Sequence, residues 1–279
     1  MSRRPCSRSR ANNRRIPSWA PLPLCALLLI MSPKPMVVFA QDACLRAKNQ
    51  PSGDAVHIIA SRWPIRDPSD PVSNYVRTMG QHLVRNVCPE SFENWSFVVV
   101  RDLALQAFSV AGGVVYVSDG ALATVETESE LAAVLAHEIG HMLAGHFRKA
   151  HDISKGFHLD NFFSVFYQSA YRQKKVFQIK DSALCQVWSP EREWEADKQA
   201  LHILQRSGYD PRALLVLVQR LADEHPSEFA SWRISKIKDL LTEFASLPSH
   251  NSIDFMRLKT QIREEGSHRN YYKKPEDLR

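Results

Sequence analysis

One five-residue stretch constrains this chain more than any other feature, because it places two imidazoles four residues apart inside an apolar segment. His137 and His141 flank Glu138 in the order His-Glu-Ile-Gly-His. Residues four apart share one face of a helix, so the two histidines can bind one metal ion. Glu138 lies one position round and can act on a metal-bound water without being a ligand. The apolar residues around the stretch recur at helical spacing and predict a buried helix: Leu131, Val134, Leu135, Ile139 and Leu143.

A later segment offers a third ligand, which a catalytic zinc site needs in addition to two histidines and an open position for water. Glu193 and Asp197 are also four residues apart, so both carboxylates face the same way on a helix. The pair Ser189-Pro190 before them predicts where that helix begins. One carboxylate can bind the metal while the other holds a ligating imidazole.

These two segments together resemble the M48 family of zinc metallopeptidases, whose signature is HExxH followed by ExxAD on a later helix. The resemblance implies one zinc ion per chain, bound by His137, His141 and Glu193. It assigns Glu138 as the general base and Asp197 as the residue that holds His137. It also implies an α+β, mostly helical, gluzincin-like peptidase domain with a small β-sheet beside the HExxH helix.

The segment before that helix resembles the same family. Strands are predicted over 95–100 and 107–110, and a third begins at a glycine pair. In the family this third strand forms the edge of the small sheet and borders the cleft, where it can pair with an extended peptide. An ordinary core hairpin is the alternative. The resemblance therefore implies these substrate-binding residues: Gly112, Gly113, Val114, Val115 and Tyr116.

A His-Pro pair followed by an arginine also resembles the family, in which both side chains lie near the metal. Here the pair is His225-Pro226, and the following arginine is Arg233, about two residues further on than usual. His225 is predicted either to fill the fourth zinc position and hold the enzyme off, or to stabilise the oxyanion together with Arg233. A plain loop residue is the third interpretation. His146, five residues after His141, is interpreted as structural.

The chain has a net charge of +6, but seven Lys and Arg residues and no acidic residue lie in 1–40, so the remainder carries −1. A nucleic-acid partner is therefore not expected. The basic start, the apolar run over 19–31 and the Val-Phe-Ala at 38–40 predict a cleaved signal peptide over 1–40. The run is too short and too interrupted by proline for a membrane span. We expect an exported protein, in the periplasm or secreted, without a transmembrane span and with peripheral membrane contact left open.

Beyond the leader, three regions are expected: an irregular arm over 41–69, the peptidase domain over 70–266 and a mobile tail over 267–279. The HExxH helix is predicted to begin after a Thr127 cap and to end near Lys149. An aromatic-rich stretch over 150–188 is predicted to be a helical insertion covering the cleft, with a membrane-surface or substrate-gating role as the alternative. Three cysteines remain in this part, and the preferred pairing leaves one thiol over: Cys44 with Cys88, and Cys185 alone.

The predicted function is that of an exported zinc endopeptidase whose partners are polypeptides, including misfolded ones. The alternative is a zinc-stabilised chaperone-like or binding module with little protease activity. Glu138 favours the enzyme, because a purely structural zinc site does not need a carboxylate next to its first ligand.

Overall fold

The computed structural model describes residues 44, 59–60, 63–103, 106–110, 112–146, 189–224 and 227–267. Within these ranges the chain forms seven helices with defined ends and one three-stranded sheet, which confirms the α+β, mostly helical fold. The helices are α1 (Pro71–Val87), α2 (Asp119–Thr124), α3 (Glu128–Leu143), α4 (Pro190–Arg206), α5 (Arg212–Glu224), α6 (Glu228–Leu241) and α7 (Ile253–Ser267). The strands are β1 (Ser96–Val100), β2 (Ala107–Val110) and β3 (Val114–Ser118).

Helix α3 carries the His-Glu-Ile-Gly-His stretch and forms the centre of the core, since every residue from Ser129 to Leu143 is buried. The helix packs against α1, α4, α5 and the sheet. Its start is capped as predicted, because the Thr127 hydroxyl accepts a hydrogen bond from the N–H of Glu130 at 3.1 Å. The Glu130 carboxylate accepts from the N–H of Glu126 at 2.8 Å. The capping box therefore closes one residue further back than the sequence pattern implies.

The end of α3 lies at Leu143, so the predicted end near Lys149 is wrong. Gly145 adopts a φ of 72°, a left-handed conformation that ends helices and that residues with a Cβ rarely adopt. Its N–H donates to the carbonyl oxygen of Met142 at 3.0 Å. The predicted insertion over 150–188 lies outside the described residues.

Helices α3 and α4 come into direct backbone contact where Gly140 faces Ala196. A Cβ added to Gly140 would lie 2.6 Å from the carbonyl oxygen of Ala196 and 3.2 Å from its Cα. Only glycine leaves room for this approach at that position of α3. The contact places the two segments that carry the predicted metal ligands side by side.

The sheet has the order β1-β3-β2, with β3 parallel to β1 and antiparallel to β2. Strand β3 is therefore central, and the prediction that the segment from Gly112 through Val114 and Val115 to Tyr116 forms the sheet edge is wrong. Gly112 and Gly113 form the turn between β2 and β3. The near-continuous apolar run of β3 is typical of a strand covered on both faces, but local pattern does not reveal which strands lie beside it. Of the two edge strands, β2 is the one that packs on α3.

Two links involve the N-terminal part of the described chain. A disulfide joins Cys44 to Cys88 directly after α1, with the Cα atoms 5.7 Å apart, which confirms the preferred pairing. Of the arm expected to be irregular, Cys44, Ile59 and Ala60 are helical. Arg66 is buried, and its Nη2 atom lies 3.1 Å from Asp119 Oδ2 and 2.7 Å from Glu265 Oε2. This cluster of charges ties the arm to the start of α2 and to helix α7.

The C-terminal helices agree with the sequence pattern in part. Helical spacing in the sequence predicts helices over 214–221 and 251–266, and α5 and α7 lie there, whereas α2 and α6 were not predicted. The missed signal for α6 is Ser227, whose hydroxyl accepts from the N–H of Ala230 at 3.0 Å and caps that helix. The proposed leader over 1–40, the tail after Ser267 and the His225-Pro226 pair lie outside the described residues. Among the helices that are described, none combines the length and the apolar character that crossing a membrane requires.

We predict that Cys88→Ser lowers the free energy of unfolding by about 2 to 4 kcal/mol, because the disulfide closes a long loop in the unfolded chain. Denaturant unfolding of the oxidised proteins measures this difference. Cys185→Ser, which makes the same substitution at a cysteine outside this disulfide, is the matched control. A Cys88→Ser protein as stable as the control would contradict the structural role of the bond.

We predict that Gly140→Ala lowers the free energy of unfolding by about 1 to 3 kcal/mol, the usual cost of overpacking a core. In an ordinary helix interior the same change stabilises by up to about 1 kcal/mol, so the sign itself is diagnostic. Denaturant unfolding of the metal-free protein separates packing from metal binding. A variant that is more stable than the wild type would show that α3 and α4 do not need the close approach.

Candidate metal centre

Three side chains from two helices meet in the core. His137 and His141 lie on one face of α3, with their Nε2 atoms 2.9 Å apart. Glu193, in the first turn of α4, brings Oε2 to 3.4 Å from His137 Nε2 and Oε1 to 3.7 Å from His141 Nε2. All three side chains are at most 1% exposed. One ligand atom from each lies within 4.8 Å of the other two.

The three side chains fit a divalent metal ion. Two atoms that bind one tetrahedral zinc ion at 2.0 to 2.2 Å lie roughly 3.3 to 3.6 Å apart. The separations between Glu193 and the two imidazoles, 3.4 and 3.7 Å, are close to this range, and the two Nε2 atoms, at 2.9 Å, are slightly closer. Oε2 of Glu193 is buried and accepts no hydrogen bond within the described part of the chain. A buried carboxylate oxygen without a donor is costly, and a cation removes that cost. Two histidines and one glutamate form a donor set found in catalytic zinc sites, which keep a fourth position open.

His137 is oriented by a buried ion pair. Its Nδ1 atom lies 2.9 Å from Asp197 Oδ1, and Arg233 on α6 donates from Nε to Asp197 Oδ2 at 2.6 Å and from Nη2 to Oδ1 at 2.7 Å. Although burial favours the neutral carboxyl, Arg233 keeps the pKa of Asp197 below its usual value. Asp197 therefore stays ionised and fixes the ring so that Nε2 faces Glu193.

The pKa values of the two imidazoles are shifted in opposite directions. Burial disfavours the imidazolium of His137, but Asp197 and Glu193 outweigh burial and raise its pKa to about 9. Burial lowers the pKa of His141 well below its usual value, and the nearby His137 and His146 add to that effect. Because metal binds neutral imidazole, an ion competes with a proton at His137 and finds His141 already neutral.

Two residues near the ligands make contacts that were not predicted from the sequence. The Ser109 hydroxyl on β2 donates to Glu138 Oε2 at 2.9 Å. His146, interpreted as structural, places Nδ1 2.8 Å from His141 Nδ1 and Nε2 2.9 Å from Glu195 Oε2. The sequence signal for Ser109 was that it is the one polar residue in the otherwise apolar strand β2. The contact of His146 could not be predicted without knowing that the helix ends at Leu143.

The structure brings six of the twelve predicted site residues together. His137, Glu138, His141, Glu193, Asp197 and Arg233 lie in one buried cluster. The Arg233 guanidinium contacts Asp197 through Nε and Nη2, and its predicted role toward an oxyanion stays a prediction. Tyr116 stacks on Phe108 with ring centroids 5.1 Å apart, in a second apolar cluster separate from the main core. His225 lies outside the described residues, so its roles as a plug or as a donor stay predictions.

Comparison with known proteins gives a consistent result. The model of peptidase family M48 matches residues 72–241. The chain is 28% identical over 225 residues to a beta-barrel assembly-enhancing protease of Yersinia pestis, covering 73% of this chain and 45% of that protein. It is 29% identical over 217 residues to the mitochondrial metalloendopeptidase OMA1 of Schizosaccharomyces pombe, covering 72% and 63%. It is 26% identical over 166 residues to the metalloprotease LoiP of Escherichia coli, covering 53% and 63%. The chain thus spans less than two thirds of each of these relatives.

We predict that Glu193→Ala weakens zinc binding at least about 10-fold, because losing a direct ligand should cost no less than losing a residue that only supports one. Competition with a chromophoric chelator measures the affinity. Glu191→Ala, an exposed glutamate in the first turn of the same helix, is the matched control and is expected to bind zinc like the wild type. Full wild-type affinity in Glu193→Ala would remove this residue from the ligand set.

Proposed function

Because the chain belongs to peptidase family M48, we propose that it is a zinc-dependent endopeptidase that hydrolyses exported or misfolded polypeptides. The observation that carries the proposal is the Glu138 carboxylate, which lies beside a buried triad able to hold a metal ion. A structural zinc site does not need a carboxylate next to its first ligand, whereas a hydrolase needs a base there. The triad consists of His137, His141 and Glu193.

Zinc held by this triad would polarise the scissile carbonyl and lower the pKa of water to about 7. Glu138 takes a proton from the attacking water and passes it to the nitrogen of the leaving amine. Ser109 holds Oε2 of Glu138 through its 2.9 Å hydrogen bond, so the carboxylate is placed before substrate arrives. Asp197 and Arg233 do the same for His137 by fixing its ring.

The substrate is proposed to pair with β2 instead of β3. An extended peptide adds a strand only at the edge of a sheet, and β3 is paired on both sides. Strand β2 is an edge strand, and its Ser109 contacts the proposed base. A peptide along β2 would therefore run close to Glu138.

Export to an oxidising compartment, the periplasm, is proposed as the cellular setting. The Cys44–Cys88 disulfide supports it, because disulfides persist mainly outside the cytosol. The leader predicted over 1–40 supports it as well. The Yersinia pestis relative is named for enhancing β-barrel assembly, which supports exported proteins as substrates.

We predict that Glu138→Gln keeps the fold and the zinc but loses proteolysis of an unfolded protein substrate, because glutamine cannot accept the proton. Gel analysis of substrate cleavage by purified protein, together with zinc content, measures both properties. Glu126→Gln is the matched control, since the Glu126 side chain is 69% exposed and pairs with Arg220 away from the ligands.

Two outcomes would reject the proposal. Cleavage by Glu138→Gln at the wild-type rate would reject Glu138 as the base. A zinc-loaded wild type that does not cleave but suppresses aggregation of the unfolded substrate would favour the chaperone-like alternative.

A further inference from the structure

The two histidines of the triad are supported in different ways. Nδ1 of His137 contacts the Asp197 carboxylate directly, whereas Nδ1 of His141 contacts the imidazole of His146, which in turn contacts Glu195. We propose that His146 and Glu195 are positioning residues for the metal site, which hold His141 in the tautomer and orientation that ligation requires. This inference rests on the proposed function, because it assumes that His141 binds the metal.

The direction of the hydrogen bonds follows from counting protons, which are assigned here from their partners. Nε2 of His141 faces His137 and Glu193, so as a ligand it carries no proton. The single proton of a neutral His141 is then on Nδ1 and is donated to Nδ1 of His146 at 2.8 Å. The proton of His146 is therefore on Nε2 and is donated to Glu195 Oε2 at 2.9 Å.

A carboxylate at the far end makes this arrangement unique. An ionised Glu195 can only accept hydrogen bonds, so it requires the proton of His146 on Nε2. Nδ1 of His146 is left as an acceptor, and that in turn requires a proton on Nδ1 of His141. The lone pair of His141 Nε2 therefore points toward Glu193. Such indirect partners commonly set the tautomer and basicity of metal-binding histidines.

His146 can contact His141 because α3 ends before His146. In a continuous helix five residues correspond to about 500° of rotation, so His146 would point about 140° away from His141. The left-handed turn at Gly145 redirects the chain instead. The two rings come to 4.9 Å between centroids in an edge-on arrangement, and His146 is buried.

Glu195 takes a supporting part because of its position on α4. Two residues after Glu193, it is about 200° round the helix from the face that carries the ligand. Its side chain is 52% exposed, whereas those of Glu193 and Asp197 are buried. Glu195 therefore acts on the site only through His146. Partial solvation makes its contribution smaller than that of His146.

The test measures the zinc affinity of the metal-free full chain by competition with a chromophoric chelator. His146→Phe keeps a ring but removes the acceptor, and we expect zinc to bind about 10- to 100-fold more weakly. His146→Asn keeps an acceptor oxygen near the position of Nδ1 and should recover part of this loss. Glu195→Ala should weaken binding by a smaller factor, about 3-fold or more. Glu191→Ala, on the same helix, should match the wild type.

The zinc affinities of these variants also separate a positioning role of His146 from a packing role. If His146 only fills space, His146→Phe should bind zinc within 2-fold of wild type, and this result would overturn the inference. Equal losses in His146→Asn and His146→Phe would overturn the role of the acceptor. The thermal midpoint of unfolding of each metal-free variant is also measured. Zinc affinities are then compared only among variants that are folded at the temperature of the assay. If His146→Phe does not fold, unchanged affinity in Glu195→Ala, a partly exposed substitution, overturns the proposal.

Failure of the inference and failure of the proposed function give different results. A wild type that binds no zinc rejects the metal centre itself, and unchanged zinc affinity in Glu193→Ala rejects Glu193 as a ligand. Tight binding by the wild type, lost in Glu193→Ala and kept in His146→Phe, rejects only the role of His146 and Glu195.

Discussion

The close approach of α3 and α4 is the constraint on which the rest of the structure depends. The ligands come from two helices that are distant in sequence, and three ligand atoms can share one ion only if the helices lie almost in backbone contact. Gly140 and Ala196 make this possible, because a Cβ on Gly140 would collide with the carbonyl of Ala196. The small residues inside the two motifs are therefore as necessary to the geometry as the ligands are.

The second requirement is to keep charged groups buried in an apolar core. Asp197 and Arg233 are buried, and each would be strongly destabilising alone. Their two hydrogen bonds offset most of the free-energy cost of burying these charges. They also connect α6 to the helix pair that carries the ligands. Helix α6 thus contributes Arg233 to the site, which holds the carboxylate that orients His137.

Spacing in the sequence was sufficient to predict the parts of the site that lie on a single helix face. His137 with His141, and Glu193 with Asp197, are paired by their separation of four residues, and the structure brings the two pairs together. Contacts that depend on neighbours in space were not predictable in this way. The near-continuous apolar run of β3 does not indicate which strands flank it, and the contact of Ser109 with Glu138 requires the packing of β2 on α3. The meeting of His146 with His141 depends on the conformation of one glycine, and Arg233 was placed near the site without its carboxylate partner being identified.

The charged cluster around Arg66 has a consequence for the order in which the molecule is completed. Arg66 lies near the start of the described chain, and one of its partners, Glu265, lies 199 residues later in α7, the last helix among the described residues. A contact of such sequence separation cannot form while the C-terminal helix is still being synthesised. Until α7 has been synthesised, the guanidinium of Arg66, which is buried in the folded protein, lacks one of its carboxylate partners. Final packing of the domain is therefore coupled to the synthesis of α7, so that a chain broken off before α7 lacks the contact between Arg66 and Glu265.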